Sequence, residues 1–275
     1  MTGSIGLLSD AAESLVNLAG ALMALAMLSV ASRPPDDDHT YGHGKAEYFS
    51  SGVEGTLILL AAIGIIMAAV PRLINPQPIQ QIGAGLLISV VASLINLAVS
   101  VILLRAAKRN HSVTLEANGQ HLLTDVWTTG GVIVGVGAVG LTDWQILDPI
   151  VAVLVAANIV LIGVRIVRKS ILGLMDTALP RHEQDTLRSI LAKFTDSGEI
   201  QYHALRTRQS GARRFISMHV VVPGEWTVHQ GHTLLERIEG EIRDALPNVT
   251  VLTHLESLDD PSSWDDVFLD RSTGL

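Results

Sequence analysis

Glu13 and Asn17 stand four residues apart, as do His121 and Asp125, and each pair falls inside a long apolar stretch. That spacing puts both members of a pair on one face of a helix. If the two helices are neighbours, the four side chains converge in mid-membrane. The carboxylates of Glu13 and Asp125 then balance the charge of a divalent cation, and neutral His121 and Asn17 complete a tetrahedral donor set. An ionisable side chain in such a helix costs on the order of 3 kcal/mol or more, so it normally lines a polar cavity or pairs with another group. From spacing alone, hydrogen bonding between helices explains His121 and Asp125 equally well. Asp10, near the outer end of its apolar run, and Glu54, near the inner end of its own, read as interfacial or vestibule groups rather than primary ligands.

Two further groups of metal-ligating residue types lie outside the apolar runs. Asp36, His39 and His43 occupy a short polar segment, where the HxxxH spacing with nearby acids suits a second metal and glycines beside His43 let the backbone bend toward it. The alternative is a solvated charge run. Near the C-terminus, His203, His219, His232, His254 and Glu256 fall at expected strand ends or on a helix, and the His254-Leu-Glu256 alternation points two donors to one face of a strand. Decoration of a soluble surface competes with metal binding there. Cysteine is absent among the 275 residues, so any metal must be held by nitrogen and oxygen, for which ten histidines are available.

The elements that must carry these residues follow from hydropathy. The chain is 48% hydrophobic but only 17% charged and 4% aromatic, and its apolar residues are concentrated before about residue 175. Five runs, about Ile5 to Ala31, Phe49 to Ile74, Ile82 to Leu104, Val113 to Leu141 and Ile146 to Met175, are each long enough to cross a hydrocarbon core of roughly 30 Å. Gly130, Gly131, Gly135 and Gly137 read as small residues that let membrane helices approach closely. After Pro180 the periodicity shortens. A helix near Arg181 to Phe194, strands near Tyr202 to Arg208 and Phe215 to Val222, a helix from Gln230 to Leu246 and a strand from Val249 to Leu255 make an αββαβ unit of split-βαβ type. The fold class expected is an α-helical membrane bundle plus an α+β C-terminal domain. The expected division is 1–177 membrane, 178–258 cytoplasmic metal-binding and dimerisation domain, and 259–275 a loose acidic tail.

Lysine and arginine crowd one set of loops: Arg33 and Lys45, then Arg105, Lys108 and Arg109, then Arg165, Arg168 and Lys169 at the end of the fifth run. The positive-inside bias therefore places residues 32–48, 105–112 and everything after 175 in the cytoplasm. It leaves the N-terminus outside, with no basic flank or signal sequence before Ile5, so a helix upstream of Met1 is expected. The net charge of −8 and the lack of a basic stripe argue against a nucleic-acid partner. No nucleophile with a base, no phosphate loop and no HExxH motif points to an enzyme.

Several segments together resemble the cation diffusion facilitator family, specifically its bacterial zinc and iron efflux branch. They are Ser9-Asp-Ala-Ala-Glu-Ser-Leu-Val-Asn17, His39-Thr-Tyr-Gly-His-Gly-Lys-Ala-Glu47, His121-Leu-Leu-Thr-Asp125, Gly173-Leu-Met-Asp176 and Leu205-Arg-Thr-Arg-Gln-Ser-Gly211. The resemblance implies a family of six membrane helices, of which the five runs here correspond to the second through sixth. It implies a homodimer in the cell membrane that exchanges cytoplasmic Zn²⁺ or a related ion for protons by alternating access. By resemblance, Glu13, Asn17, His121 and Asp125 form the transport site. Asp36, His39 and His43 form a second site, and His203, His219, His232, His254 and Glu256 form a two-metal cluster at the cytoplasmic dimer interface, acting as sensor or clamp. Lys45 and Asp176 resemble an interlock that joins protomers near the membrane surface.

One departure bears on the cargo. The family's second-helix pair is usually His/Asp or Asp/Asp, and here it is Glu13 and Asn17, which lowers the negative charge by one. Zinc leads as the expected cargo, with iron, cobalt, nickel and cadmium open. The competing reading is a non-transporting membrane-anchored metal sensor, or an inactive fragment lacking the first helix.

Overall fold

The computed structural model describes residues 18, 20–75, 84–142 and 144–265, with the side chains of 84–88 left aside. The chain divides into two compact units, Met1–Leu174 and Met175–Leu275.

The first unit is helical. Gly20–Ala31 (α1) is an apolar helix. It is followed by Ala46–Ile74 (α2), Ala84–Asn110 (α3), Val113–Thr142 (α4) and Leu147–Leu174 (α5). These last four are long and apolar enough to cross a membrane. At a rise of about 1.5 Å per residue they reach about 40–45 Å, more than the hydrocarbon core, so their ends stand in the interfacial layers. Large apolar side chains such as Leu60, Met67, Leu94, Ile102 and Leu161 point outward. On a bundle in lipid that is the favourable face, since the surroundings are as apolar as the side chains.

Inside the bundle, contacts are made by small residues. A Cβ at Gly55 of α2 would come within 2.9 Å of Ile166 and Val167 of α5, and one at Gly163 within 2.8 Å of Leu59, so these two backbones meet where neither has a side chain. The Ser51 and Ser170 hydroxyls, 2.7 Å apart, satisfy each other at the same seam. Of the four glycines expected to allow close packing, Gly131 abuts Val155 and Gly135 abuts Asp148, while Gly130 and Gly137 face open space. Glu47, nearly fully buried in the first turn of α2, accepts hydrogen bonds from the Ser112 hydroxyl and the Thr114 amide. The carboxylate thus sits at the N-terminus of α4, where free amides and the helix dipole favour an anion.

The second unit runs Arg181–Thr195 (α6), Gln201–Ser210 (β1), Arg213–Val222 (β2), Val228–Ala245 (α7), Val249–Ser257 (β3) and a short 3₁₀ turn, Pro261–Trp264. The αββαβ order is the one expected. β1 and β2 pair antiparallel, and β2 pairs parallel to β3 in the order β1-β2-β3. The hairpin needs a tight turn, supplied by Gly211 at φ +59°. The parallel pairing needs a crossover, supplied by α7. Alternate β2 residues Ile216, Met218 and Val220 are buried with Leu187, Ile190, Leu191, Leu234, Ile238 and Ile242 of the two helices. One sheet face is therefore covered, and the odd-numbered β2 residues, His219 among them, point to the other. Arg214 is buried and forks onto Glu183 at 2.8 and 2.7 Å, while donating to the Pro247 carbonyl at 2.7 Å.

Candidate metal centres

Three groups of candidate ligands occupy three different settings. In the membrane unit, His121 and Asp125 lie one turn apart on α4, both partly buried. The Thr124 hydroxyl donates to the His121 carbonyl at 2.6 Å, and Thr128 and Thr129 donate to that of Asp125 at 2.8 and 3.0 Å, so this polar stretch absorbs its own hydroxyls along the helix. Glu13 and Asn17, together with Asp10, lie outside the described residues.

Glu54, expected as an interfacial or vestibule group, is enclosed within the bundle beside His121. It sits two turns inside α2, only 3% exposed, with Oε1 2.5 Å from Nδ1 of His121. The apolar run suggests a helix starting at Phe49, which places residue 54 near its mouth. The helix in fact starts at Ala46, because Glu47 is accommodated by the α4 terminus. Proximity of Glu54 to His121 depends on α2 packing beside α4, which no local pattern encodes.

The second group lies between α1 and α2. Nδ1 of His39 is 3.2 Å from Oδ1 of Asp36, and Nε2 of His43 is 3.3 Å from Oδ2 of the same carboxylate. The two imidazole centroids are 4.3 Å apart. Gly42, at φ +81°, makes the reversal that folds His43 back toward Asp36, and its amide donates to the His39 carbonyl at 2.7 Å. Desolvation raises the Asp36 pKa, but the His39 amide, its ring and the His43 charge outweigh it and hold the carboxyl below its ordinary value. Asp36 is thus available as an anionic ligand. Nδ1 of His43 is buried without a hydrogen-bond partner among the described residues. One donor atom from each of the three residues falls within 4.8 Å of the others. At the same end of the bundle, Lys45 donates to the Leu174 carbonyl at 3.3 Å, where a cation complements the α5 C-terminus.

The third group lies on the sheet face that the helices leave uncovered. His203 pairs in register with His219, and His219 with His254, so three histidines cross three strands in one row. Glu256, two residues along β3 from His254, reaches both neighbours: Oε2 is 2.8 Å from Nε2 of His203, and Oε1 is 3.2 Å from Nδ1 of His219. A register shift after His203, with Ala204 at φ +50°, marks a bulge of the kind that re-aims side chains. Donor atoms of His203, His219 and Glu256 likewise fall within 4.8 Å of one another. Nδ1 of His203 is buried and unpartnered among the described residues. Trp264 of the 3₁₀ turn covers His203, with ring centroids 5.3 Å apart.

Of the remaining two candidates, His254 stays beside the group, its ring centroid 5.1 Å from that of His219, and His232 does not join it. His254 is two-thirds exposed, with Nε2 3.7 Å from Glu256. His232 is exposed on α7 and takes no part in the three-ligand group. Asp176 accepts from Arg208 at 3.1 Å within the second unit. Sequence patterns single out Glu54 without its partner and give no role to Glu47 or Trp264, because these contacts come from neighbours distant along the chain.

Residues 1–175 match the model of the cation efflux transmembrane domain, and residues 179–258 that of the cation efflux protein cytoplasmic domain. The Synechocystis uncharacterized transporter sll1263 is 47% identical over 264 residues, covering 96% of this chain and 85% of that protein. The cation-efflux pump FieF of Klebsiella pneumoniae is 29% identical over 262 residues, covering 95% of this chain and 85% of its own. The metal-bound C-terminal domain of the CzcD transporter from Thermotoga maritima is 27% identical, covers 30% of this chain and 99% of its own, and superposes with a TM-score of 0.27. The family models together span both units, and the chain accordingly belongs to the cation efflux, or cation diffusion facilitator, family as a multi-pass inner-membrane transporter with a cytoplasmic α+β domain.

Proposed function

We propose that this protein exports a divalent metal, with zinc favoured, from the cytoplasm in exchange for protons, by alternating access around Glu13, Asn17, His121 and Asp125. The observation that carries the reading is His121, an imidazole with a carboxylate 2.5 Å away, inside a helix long and apolar enough to span a membrane, in a chain of the cation efflux family. Such a pair is expensive in lipid and is retained where it serves an ion pathway. A donor set of imidazole, carboxylate and amide without thiolate suits zinc and its first-row neighbours.

Metal and protons compete for the same atoms, because ligation needs a neutral imidazole and ionised carboxylates. Imidazoles in general titrate near about pH 6.5, within the range a cellular proton gradient spans. Protons entering from outside therefore displace the outgoing ion, and deprotonation on the cytoplasmic side readies the site again. Asp36, His39 and His43 form a second cytoplasmic-side metal site in this reading. His203, His219 and Glu256 hold a regulatory metal, and exposed His254 and His232 are available to complete a cluster shared by the two protomers of a homodimer. The working division is 1–177 for transport, 178–258 for metal sensing and dimerisation, and 259–275 as a tail.

The test is Zn²⁺ flux into proteoliposomes under an imposed pH gradient. Wild-type flux should rise with the gradient, and His121→Ala should reduce it to the level of empty vesicles. An H121A protein with unchanged flux and unchanged pH dependence would sink the proposal.

A further inference from the structure

Glu54 is a carboxylate within a membrane helix, 3% exposed, and the four-residue site does not include it. Burial of such a group in lipid costs on the order of 3 kcal/mol or more. Its two oxygens are used differently. Oε1 lies 2.5 Å from Nδ1 of His121, whereas Oε2 is buried with no hydrogen-bond partner among the described residues. Oε2 instead faces α1 at Gly20, where an added Cβ would lie 3.3 Å from it. Asn17 is the uncharged member of its pair.

From these observations we propose that Glu54 is a positioning residue of the transport site. Its Oε1 sets a negative charge against Nδ1 of His121 in an ion-pair contact, which favours the Nδ1–H tautomer and leaves Nε2 as the ligand atom, and it brings to the site the negative charge that Asn17 does not carry. A carboxylate behind a ligating imidazole fixes the tautomer and ring orientation and makes the other nitrogen a better donor. Such partners typically contribute about 10–100-fold in metal affinity when removed. The site therefore draws on α2 as well as on the two helices that hold its ligands. This inference rests on His121 being a transport ligand.

The experiment measures KM and maximal rate for Zn²⁺ in proteoliposomes holding the full chain, at one fixed pH gradient. Glu54→Ala should raise KM roughly 10–100-fold with a smaller change in maximal rate. The near-isosteric Glu54→Gln should raise KM less, and Glu54→Asp should recover part of the loss. Combining Asn17→Asp with E54Q should bring KM back toward wild type, which a purely structural role for Glu54 does not predict. Thermal melting in detergent identifies misfolded variants, and E54Q, which keeps the shape of the side chain, carries the test if E54A melts. A wild-type KM in folded E54Q and E54D, or no recovery in the N17D/E54Q double variant, overturns the proposal. His121→Ala runs alongside: active H121A defeats the parent reading, whereas inactive H121A with normal KM in the Glu54 variants defeats only this one.

Discussion

Trp264 lies against His203, and His203 shares Glu256 with His219. A cation drawn onto those three donors changes the surroundings of the indole directly. Zn²⁺ is therefore expected to alter tryptophan fluorescence, and Trp264→Phe should remove most of the response although the other three tryptophans remain. His203→Ala should abolish it with the indole still present. An undiminished response in H203A would place the metal elsewhere. At this scale the candidate residues themselves were legible: the His254-Leu-Glu256 alternation does aim two donors to one strand face, as period-two geometry requires. The choice of His203 and His219 as their close companions was not, because it depends on cross-strand register and on the bulge after His203.

Among the elements, α6 is tied to the sheet by an ion pair removed from water. Arg214 is 1% exposed, and Glu183 in the first turn of α6 takes two of its donors. Deleting one partner strands the other as an uncompensated buried charge, a change that typically costs about 3–5 kcal/mol. Glu183→Ala should accordingly lower the denaturation midpoint of the cytoplasmic unit by that equivalent in chemical unfolding. A loss below about 1 kcal/mol, the usual scale of an exposed pair, would show that the pair is not held out of water. Element order was readable from period and hydropathy, and the boundaries moved where polar residues found tertiary partners. α2 starts at Ala46 rather than Phe49 because Glu47 is satisfied by Ser112 and Thr114. α3 runs on to Asn110 past the end of its apolar run, with Lys108 and Arg109 in its last turn, where cations complement the dipole.

For the molecule as a whole, the cytoplasmic sheet has one face under α6 and α7 and another that carries exposed His254 and Leu252. Metal shared across that face would favour one arrangement of two protomers over the others. Sedimentation of residues 178–275 should show self-association tightened by Zn²⁺ and reversed by chelation, with His254→Ala weakening the effect. Identical association with and without metal would remove the clamp. The four long membrane spans from Ala46 to Leu174, the αββαβ order and the one-turn spacing of His121 and Asp125 were determined by the sequence itself, because apolar length and helical or strand period are properties of short stretches. Which of those stretches become neighbours is a long-range outcome of packing. Only the tertiary structure could turn Glu54 from a group at the membrane edge into the partner of His121, since glycines and small residues decide how closely α2 approaches the rest of the bundle. Likewise, only the pairing of three strands could select His203, His219 and Glu256 from five scattered candidates.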